Sequence, residues 1–254
     1  MGDVRKGFRA AFSGFLAPLG ASWPAVAYTA VALGLLLVWL GPGQRTFFVG
    51  QLAPRLLPGE DPATAEWWGQ LYQFAAACLL FLVLPVALLK LWARERLAEL
   101  GLGLGDVRFG FGIVVPLGLL LVSLPAGWLA ATQPDFLAEY PMAKLAGATA
   151  RNFAVYQLAY GLLYYVAYEA FFRGMLQLGL GRRIGALPAI LVQTAITTLL
   201  HIGKPPGEIW SALLAGFLFG LVVIRTRSVW PLVIVHWGLG FFTDFFCARA
   251  GGLL

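Results

Sequence analysis

The chain is poor in charged residues, in cysteine and in histidine, and each shortage excludes a class of protein. Only 12% of its 254 residues are charged while 60% are hydrophobic, and the mean hydropathy is +0.80, which excludes an ordinary soluble domain. Its two cysteines, Cys78 and Cys247, both lie in apolar runs, so the sequence has neither a disulfide framework nor a thiolate zinc site. The composition therefore indicates a polytopic membrane protein.

Several motifs of well-known hydrolases and nucleotide-binding proteins are also missing from the sequence. It has no H-E-x-x-H helix, which excludes the zincin arrangement, and no G-x-S-x-G nucleophile elbow. The glycine-rich stretch at 101–105 is not followed by the lysine of a phosphate loop, so we interpret it as a turn. No small-residue cleavage site follows the first long apolar run, and we expect that run to be retained.

Long apolar runs fill most of the chain and predict an all-α fold, a polytopic membrane helical bundle. Residues 5–19 carry Arg5, Lys6 and Arg9 among apolar residues at helical spacing, which predicts an amphipathic helix on the inner membrane surface. We expect one membrane-embedded domain over 1–254. About seven segments are long enough to cross a ~30 Å hydrocarbon core: roughly 23–41, 69–92, 109–131, 153–178, 184–202, 207–225 and 229–248.

The basic residues decide between a membrane and a nucleic-acid partner. The net charge of +6 comes from 18 Lys and Arg against 12 Asp and Glu, and the basic residues fall in short loops between apolar runs. With the N-terminus inside, eleven of them lie on the inner side and six on the outer side, while Arg173 lies within a span. This asymmetry predicts a multi-pass protein of the bacterial inner membrane with a cytoplasmic N-terminus and no nucleic-acid partner.

The ionisable residues of the apolar segments cluster in the last four spans, as expected of one polar site inside a bundle. The rise of ~1.5 Å per helical residue places Glu208 and His201 at the same depth in the membrane and Glu169 at a depth that differs by ~7 Å. We therefore expect these three residues to be neighbours. Purely structural roles also explain some of these residues. Glu169 and Arg173 at i and i+4 can neutralise one another, and Asp244 near a helix end can reach interfacial water. The cluster consists of Glu169, Arg173, His201, Glu208, His236 and Asp244.

Two histidines with one or two carboxylates can activate a water molecule. They can do so through a divalent metal such as zinc, or without a metal as a glutamate-histidine general base. The possible metal ligands are His201, Glu169, Glu208 and His236. In either case the natural reaction is hydrolysis.

Three motifs in this part of the chain resemble those of a known protease family. "EAFFRG" at 169–174, His201, and His236 in "SVWPLVIVHW" look like the motifs of the CPBP intramembrane proteases, also called the CAAX endopeptidase or Abi family. The resemblance covers 153–245, the expected protease core. It implies an endopeptidase in which a first-motif glutamate and the second-motif histidine activate water, while the third-motif histidine and an asparagine stabilise the oxyanion. Its partner would be a protein or peptide substrate in the lipid bilayer.

The match to these motifs is partial. Glu169 and Arg173 correspond to the second glutamate and the arginine of the first motif, and His201 and His236 to the two later histidines. The three departures are Tyr168 in place of the water-activating glutamate, Thr197 in place of a phenylalanine and Gly240 in place of the asparagine. A tyrosine, with a pKa of ~10, is a poor general base near neutral pH.

Two main hypotheses follow. In the first, the protein is an intramembrane endopeptidase in which Glu169 or Glu208 replaces the missing glutamate; its catalytic residues are Glu169, Arg173, His201, His236 and Glu208. In the second, it is an inactive pseudoprotease or membrane adaptor that binds a partner through the same cleft. A carrier of protons or small molecules is a third alternative, and the absence of repeated broken helices disfavours it.

Overall fold

The computed structural model describes residue 20, residues 23–91, residue 94 and residues 96–254. This part of the chain is helical and contains no strand. One long helix occupies each predicted segment. They are α1 (Trp23–Leu40), α2 (Pro62–Leu91), α3 (Val107–Ala130), α4 (150–184), α5 (Ala186–Leu199), α6 (Pro206–Thr226) and α7 (Trp230–Ala250). The amphipathic helix predicted at 5–19 lies outside the described residues.

Short helices occupy the connections between α1 and α2, between α2 and α3, and between α3 and α4. They are Arg45–Leu56, Leu97–Leu100, Pro134–Glu139 and Lys144–Gly147. Helix α2 begins earlier than predicted because Asp61 caps it: a side-chain oxygen of Asp61 accepts from the backbone N–H groups of Ala63 and Thr64, and Pro62 occupies the first turn. That capping pattern is visible in the sequence, eight residues before the hydrophobic part of the span begins at residue 69.

Four helices of the described chain, α2, α3, α6 and α7, are long and apolar enough to cross a membrane. The bent pair Ala25–Leu40 and Arg45–Leu56, at 44°, makes a fifth if it is one span. The expectation of about seven spans is not met by α5, whose 14 residues reach only ~21 Å. Helix α4 is long, but tyrosines, glutamines and an ion pair lower its hydropathy. The structure thus confirms a polytopic helical bundle with four or five apolar spans.

Helix α4 lies at the centre of the bundle and packs against α1, α2, α5, α6 and α7, whereas α3 packs against α7. Every residue from Ala170 to Gly179 is buried, whereas only 11% of the apolar window of α3 is buried. The outward faces of the peripheral helices carry large apolar side chains such as Leu121 and Trp210, which are 68% and 72% exposed. Apolar groups facing outward and polar groups facing inward are the arrangement that a lipid environment requires.

Helix α6 carries small residues at every fourth position, Ala212, Gly216 and Gly220, and this face serves close helix packing. The Gln193 side chain on α5 donates to the Gly216 carbonyl at 2.8 Å, and Gln177 on α4 donates to the Gly220 carbonyl at 2.7 Å. A Cβ atom at Gly216 would approach the side chain of Thr194 to 3.0 Å. Glycine therefore lets neighbouring helices reach the backbone of α6 and hydrogen-bond to it.

A glycine also sets the distance between α3 and α7, the helix that carries His236. A Cβ atom at Gly127 would lie 2.6 Å from the backbone carbonyl carbon of Phe242, which cannot move aside as a flexible side chain can. We expect Gly127→Ala to lower the free energy of unfolding by about 1–3 kcal/mol through overpacking. Thermal unfolding in detergent measures this change.

Gly112 provides the matched control for this substitution. It lies on the same helix, and a Cβ atom there would meet nothing within 4 Å. Gly112→Ala should leave stability unchanged or raise it by up to ~1 kcal/mol through helix propensity. Equal melting temperatures for the two variants would contradict the close approach of α3 to α7.

Candidate active site

The first polar pair joins α4 to α7. Glu169 is fully buried, and its Oε1 lies 2.7 Å from Nδ1 of His236. Its Oε2 lies 3.3 Å from Nε of Arg173, one helical turn further along α4. Because a carboxylate can only accept, Nδ1 of His236 donates to Glu169, and Nε2 is left for another partner. Both oxygens of Glu169 are therefore engaged.

The Glu169–Arg173 contact is an ion pair rather than a hydrogen bond. Its distance is short, yet Nε and Nη1 of Arg173 and Oε2 of Glu169 have no aligned hydrogen-bond partner among the described residues. The guanidinium carbon lies 5.5 Å from the ring centroid of Tyr168 and 5.8 Å from that of Phe219. Coulombic attraction and these two aromatic rings thus stabilise the buried cation.

Aromatic rings surround His236. Its ring centroid lies 4.7 Å from that of Tyr165, 5.4 Å from Tyr168 and 5.8 Å from Phe219. Tyr168 is only 3% exposed. Its ring therefore forms a wall of the His236 pocket.

The second polar pair lies where α5 ends and α6 begins. Nδ1 of His201 donates to the Thr197 carbonyl at 2.7 Å, since a carbonyl oxygen can only accept. In the neutral imidazole, Nε2 then carries a lone pair, and it lies 3.8 Å from Oε1 of Glu208. The other oxygen of Glu208 accepts from the Tyr140 hydroxyl at 2.7 Å. The His201 and Glu208 side chains are 22% and 19% exposed, so small molecules can reach this pair.

The structure brings the predicted residues together in a different pairing from the one expected. Glu169 pairs with His236, not with the expected neighbour His201, and His201 pairs with Glu208 as the depth comparison suggested. Helix tilt and side-chain length, which the helical rise alone does not describe, bring Glu169 to His236 rather than to His201.

Asp244 does not reach interfacial water, and that expectation is wrong. Its side chain is fully buried and accepts from Nε2 of Gln157 at 2.7 Å. Gln157 lies on α4, so this pair is a second polar contact between α4 and α7, separate from Glu169 and His236. The aromatic residues next to Asp244 in the sequence do not indicate that Gln157 is its partner.

Sequence reasoning missed two tyrosines that stand beside the polar pairs. A side chain at Gly240 would overlap the hydroxyl of Tyr165, so this hydroxyl fills the space where the resemblance has an asparagine. Tyr140, in the connection between α3 and α4, reaches Glu208. Neither could be found from spacing, because Tyr165 belongs to a tyrosine-rich helix face and Tyr140 is 68 residues from its partner.

The four predicted metal ligands fall into two separate glutamate-histidine pairs. In the part of the chain that the structure describes, no group of three or more His, Cys, Asp or Glu side chains could hold a metal ion. Structural and catalytic zinc sites use at least three protein ligands. The side chains as placed do not fit such a site, and we derive no step through a metal.

The fold and these two pairs define a class: a polytopic helical membrane protein with paired glutamate and histidine side chains inside its bundle. Residues 150–242 match the protein family described as type II CAAX prenyl endopeptidase Rce1-like. The match confirms the resemblance to the CPBP proteases over this segment, which runs from α4 into α7 and contains all five predicted catalytic residues. No curated protein and no solved structure gives a significant match to the chain.

Proposed function

We propose that the protein is an intramembrane endopeptidase that hydrolyses a peptide bond of a membrane-associated or C-terminally tagged protein. The matched family is one of proteases, and its segment holds both glutamate-histidine pairs. The cellular setting that fits is the bacterial inner membrane with the N-terminus in the cytoplasm. The partners are the lipid bilayer and the protein or peptide substrate, without a nucleic acid.

The contact between His201 and Glu208 carries this proposal. Nε2 of His201 and Oε1 of Glu208 are two acceptors that face each other at 3.8 Å, so together they can accept the two protons of one water molecule. That water would keep its lone pairs for attack on the scissile carbonyl, while the pair takes up a proton as general base. Glu208 would thus do the work that Tyr168 cannot.

In this proposal the buried pair stabilises the oxyanion. His236 is held by Glu169 through Nδ1, which leaves Nε2 as the group that can donate to a developing oxyanion when the ring is charged. Glu169 and Arg173 are then positioning residues, because both oxygens of Glu169 are occupied and neither residue is exposed. The Tyr165 hydroxyl above Gly240 is a further donor beside His236.

A second candidate is a pseudoprotease or adaptor that binds a partner through the same cleft. The observation that favours it is Tyr168, which replaces a carboxylate and packs against the very histidine that would stabilise the oxyanion. An adaptor would retain its partner when both histidines are replaced and would form no product.

Hydrolysis in ¹⁸O-labelled water tests the proposal. The purified protein in proteoliposomes is incubated with membrane-anchored and C-terminally tagged peptides, and mass spectrometry detects a new carboxyl terminus that carries the label. We expect product from the wild type and none from His201→Ala or His236→Ala, because each lacks a group needed to form or stabilise the tetrahedral intermediate.

The exposed outer-loop variant Glu60→Gln serves as the matched control and should cleave like the wild type. Unfolding temperatures of both histidine variants must stay close to that of the wild type for the result to count. Turnover retained in both histidine variants would contradict the proposed mechanism. Absence of product with a partner still co-purifying would support the adaptor.

A further inference from the structure

The connection between α3 and α4 folds over the second polar pair, and we name residues 131–149 the outer strap. Two of its side chains contact the turn between α5 and α6 and the first turn of α6. The Tyr140 hydroxyl donates to Oε2 of Glu208 at 2.7 Å, and Glu139 forms an ion pair with Lys204. The Lys204 ammonium also lies 5.4 Å from the centroid of the Tyr140 ring. The outer strap therefore contacts the site through two adjacent residues, Glu139 and Tyr140.

The ring of Tyr140 has a packing role that is separate from its hydroxyl. The residue is 7% exposed and packs in an apolar cluster with Ala130 and Cys247. Its ring stacks on that of Phe136, with 6.0 Å between the centroids. Phenylalanine could make all these contacts. Only the hydroxyl reaches a carboxylate, and a buried hydroxyl that donates to a charged acceptor forms one of the stronger hydrogen bonds.

That hydrogen bond decides which way Glu208 faces. The side chain rotates about several bonds, and its two oxygens are equivalent until one of them is held. With Oε2 held by Tyr140, the second oxygen is directed at Nε2 of His201. We propose that Tyr140 is a positioning residue, whose hydroxyl holds Glu208 in the orientation that makes the His201–Glu208 pair. Its relevance to catalysis rests on the proposed function, whereas the orientation itself does not.

Nitrogen NMR tests the orientation without any need for turnover. The chain has only two histidines, so ¹⁵N-histidine labelling gives few signals, and His236→Ala assigns them. We expect Tyr140→Phe to shift the Nε2 resonance of His201 in the same direction as Glu208→Gln. If Glu208→Gln shifts this resonance and Tyr140→Phe leaves it at the wild-type position, the proposal is overturned. A resonance that responds to neither variant overturns it as well.

Kinetics test the consequence for catalysis. Tyr140→Phe should lower kcat about tenfold or more and leave KM unchanged, because a misdirected carboxylate impairs proton transfer rather than binding. In the Glu208→Gln background, the same change should cost nothing further, since the group it positions is already inactive. A rise in KM at constant kcat, or fully additive losses, would contradict positioning.

Tyr72 provides the matched control. Its hydroxyl also makes a 2.7 Å hydrogen bond on the outer side of the bundle, to the carbonyl of Pro42. Tyr72→Phe should change neither the His201 resonance nor kcat. A wild type that cleaves no peptide would defeat the proposed function, and the NMR comparison would still decide the role of Tyr140.

Discussion

Glu208→Gln is expected to lower kcat by about 100-fold to 10,000-fold, the range that a positioned general base contributes. Glutamine is close in size and keeps an oxygen that can accept from Tyr140, so the local geometry should persist. It cannot take up a proton, so His201 loses its carboxylate partner and the pair can no longer accept both protons of one water molecule. Steady-state kinetics on any peptide that the wild type cleaves measures the loss.

Glu169→Gln provides the comparison that separates the two carboxylates. Both oxygens of Glu169 are engaged, by His236 and by Arg173, and the residue is fully buried. Its replacement should act mainly on stability and on the position of His236. If Glu169→Gln removed turnover from a fully stable protein while Glu208→Gln cleaved normally, Glu169 would be the base and our assignment would be wrong.

Arg173→Met is expected to lower the free energy of unfolding by about 3–5 kcal/mol, because it leaves a buried carboxylate without its cationic partner. Arg173 and Glu169 side chains are 3% and 0% exposed, so solvent does not screen the loss. His236 can compensate only in its charged form. Unfolding by heat or by denaturing detergent in micelles measures the change.

Two further variants control for this effect. The double variant Glu169→Gln with Arg173→Met removes both charges and should be more stable than Arg173→Met alone. Arg225→Met breaks an ion pair of 2.7 Å with Asp106 at an exposed position, where solvent weakens the attraction, and should change stability little. A double variant that is less stable than Arg173→Met would show that the charges do not compensate one another.

The exposed Asp106 site also shows that a short ion pair is not by itself a functional signal. The Phe109 backbone N–H and the Arg225 guanidinium hold the pKa of Asp106 below its usual value. Its role is to cap the first turn of α3 and to link that turn to α6. What distinguishes Glu169 and Glu208 is a histidine partner inside the bundle.

Much of the fold was predictable because a bilayer leaves few choices. Apolar runs long enough to cross it must be helical, since their backbone groups have no other hydrogen-bond partners. The seven predicted segments all became helices for this reason. The number of membrane-crossing helices was less predictable. Helix α4, at the centre of the bundle, is shielded by protein and need not be apolar on all sides, and α5 has only 14 residues.

The sequence by itself determined that this is a helical membrane protein, that the ionisable residues of its apolar segments gather in the last four helices, and that these helices carry a protease-like set of motifs. Placing an ionisable side chain in an apolar medium costs free energy, so such residues are rare in apolar segments and indicate a functional site where they occur. Only the tertiary structure decided the pairing: Glu169 with His236, and His201 with Glu208 held by Tyr140. These contacts join residues far apart in the chain, and helix tilt and side-chain rotation, which spacing does not encode, determine which atoms meet.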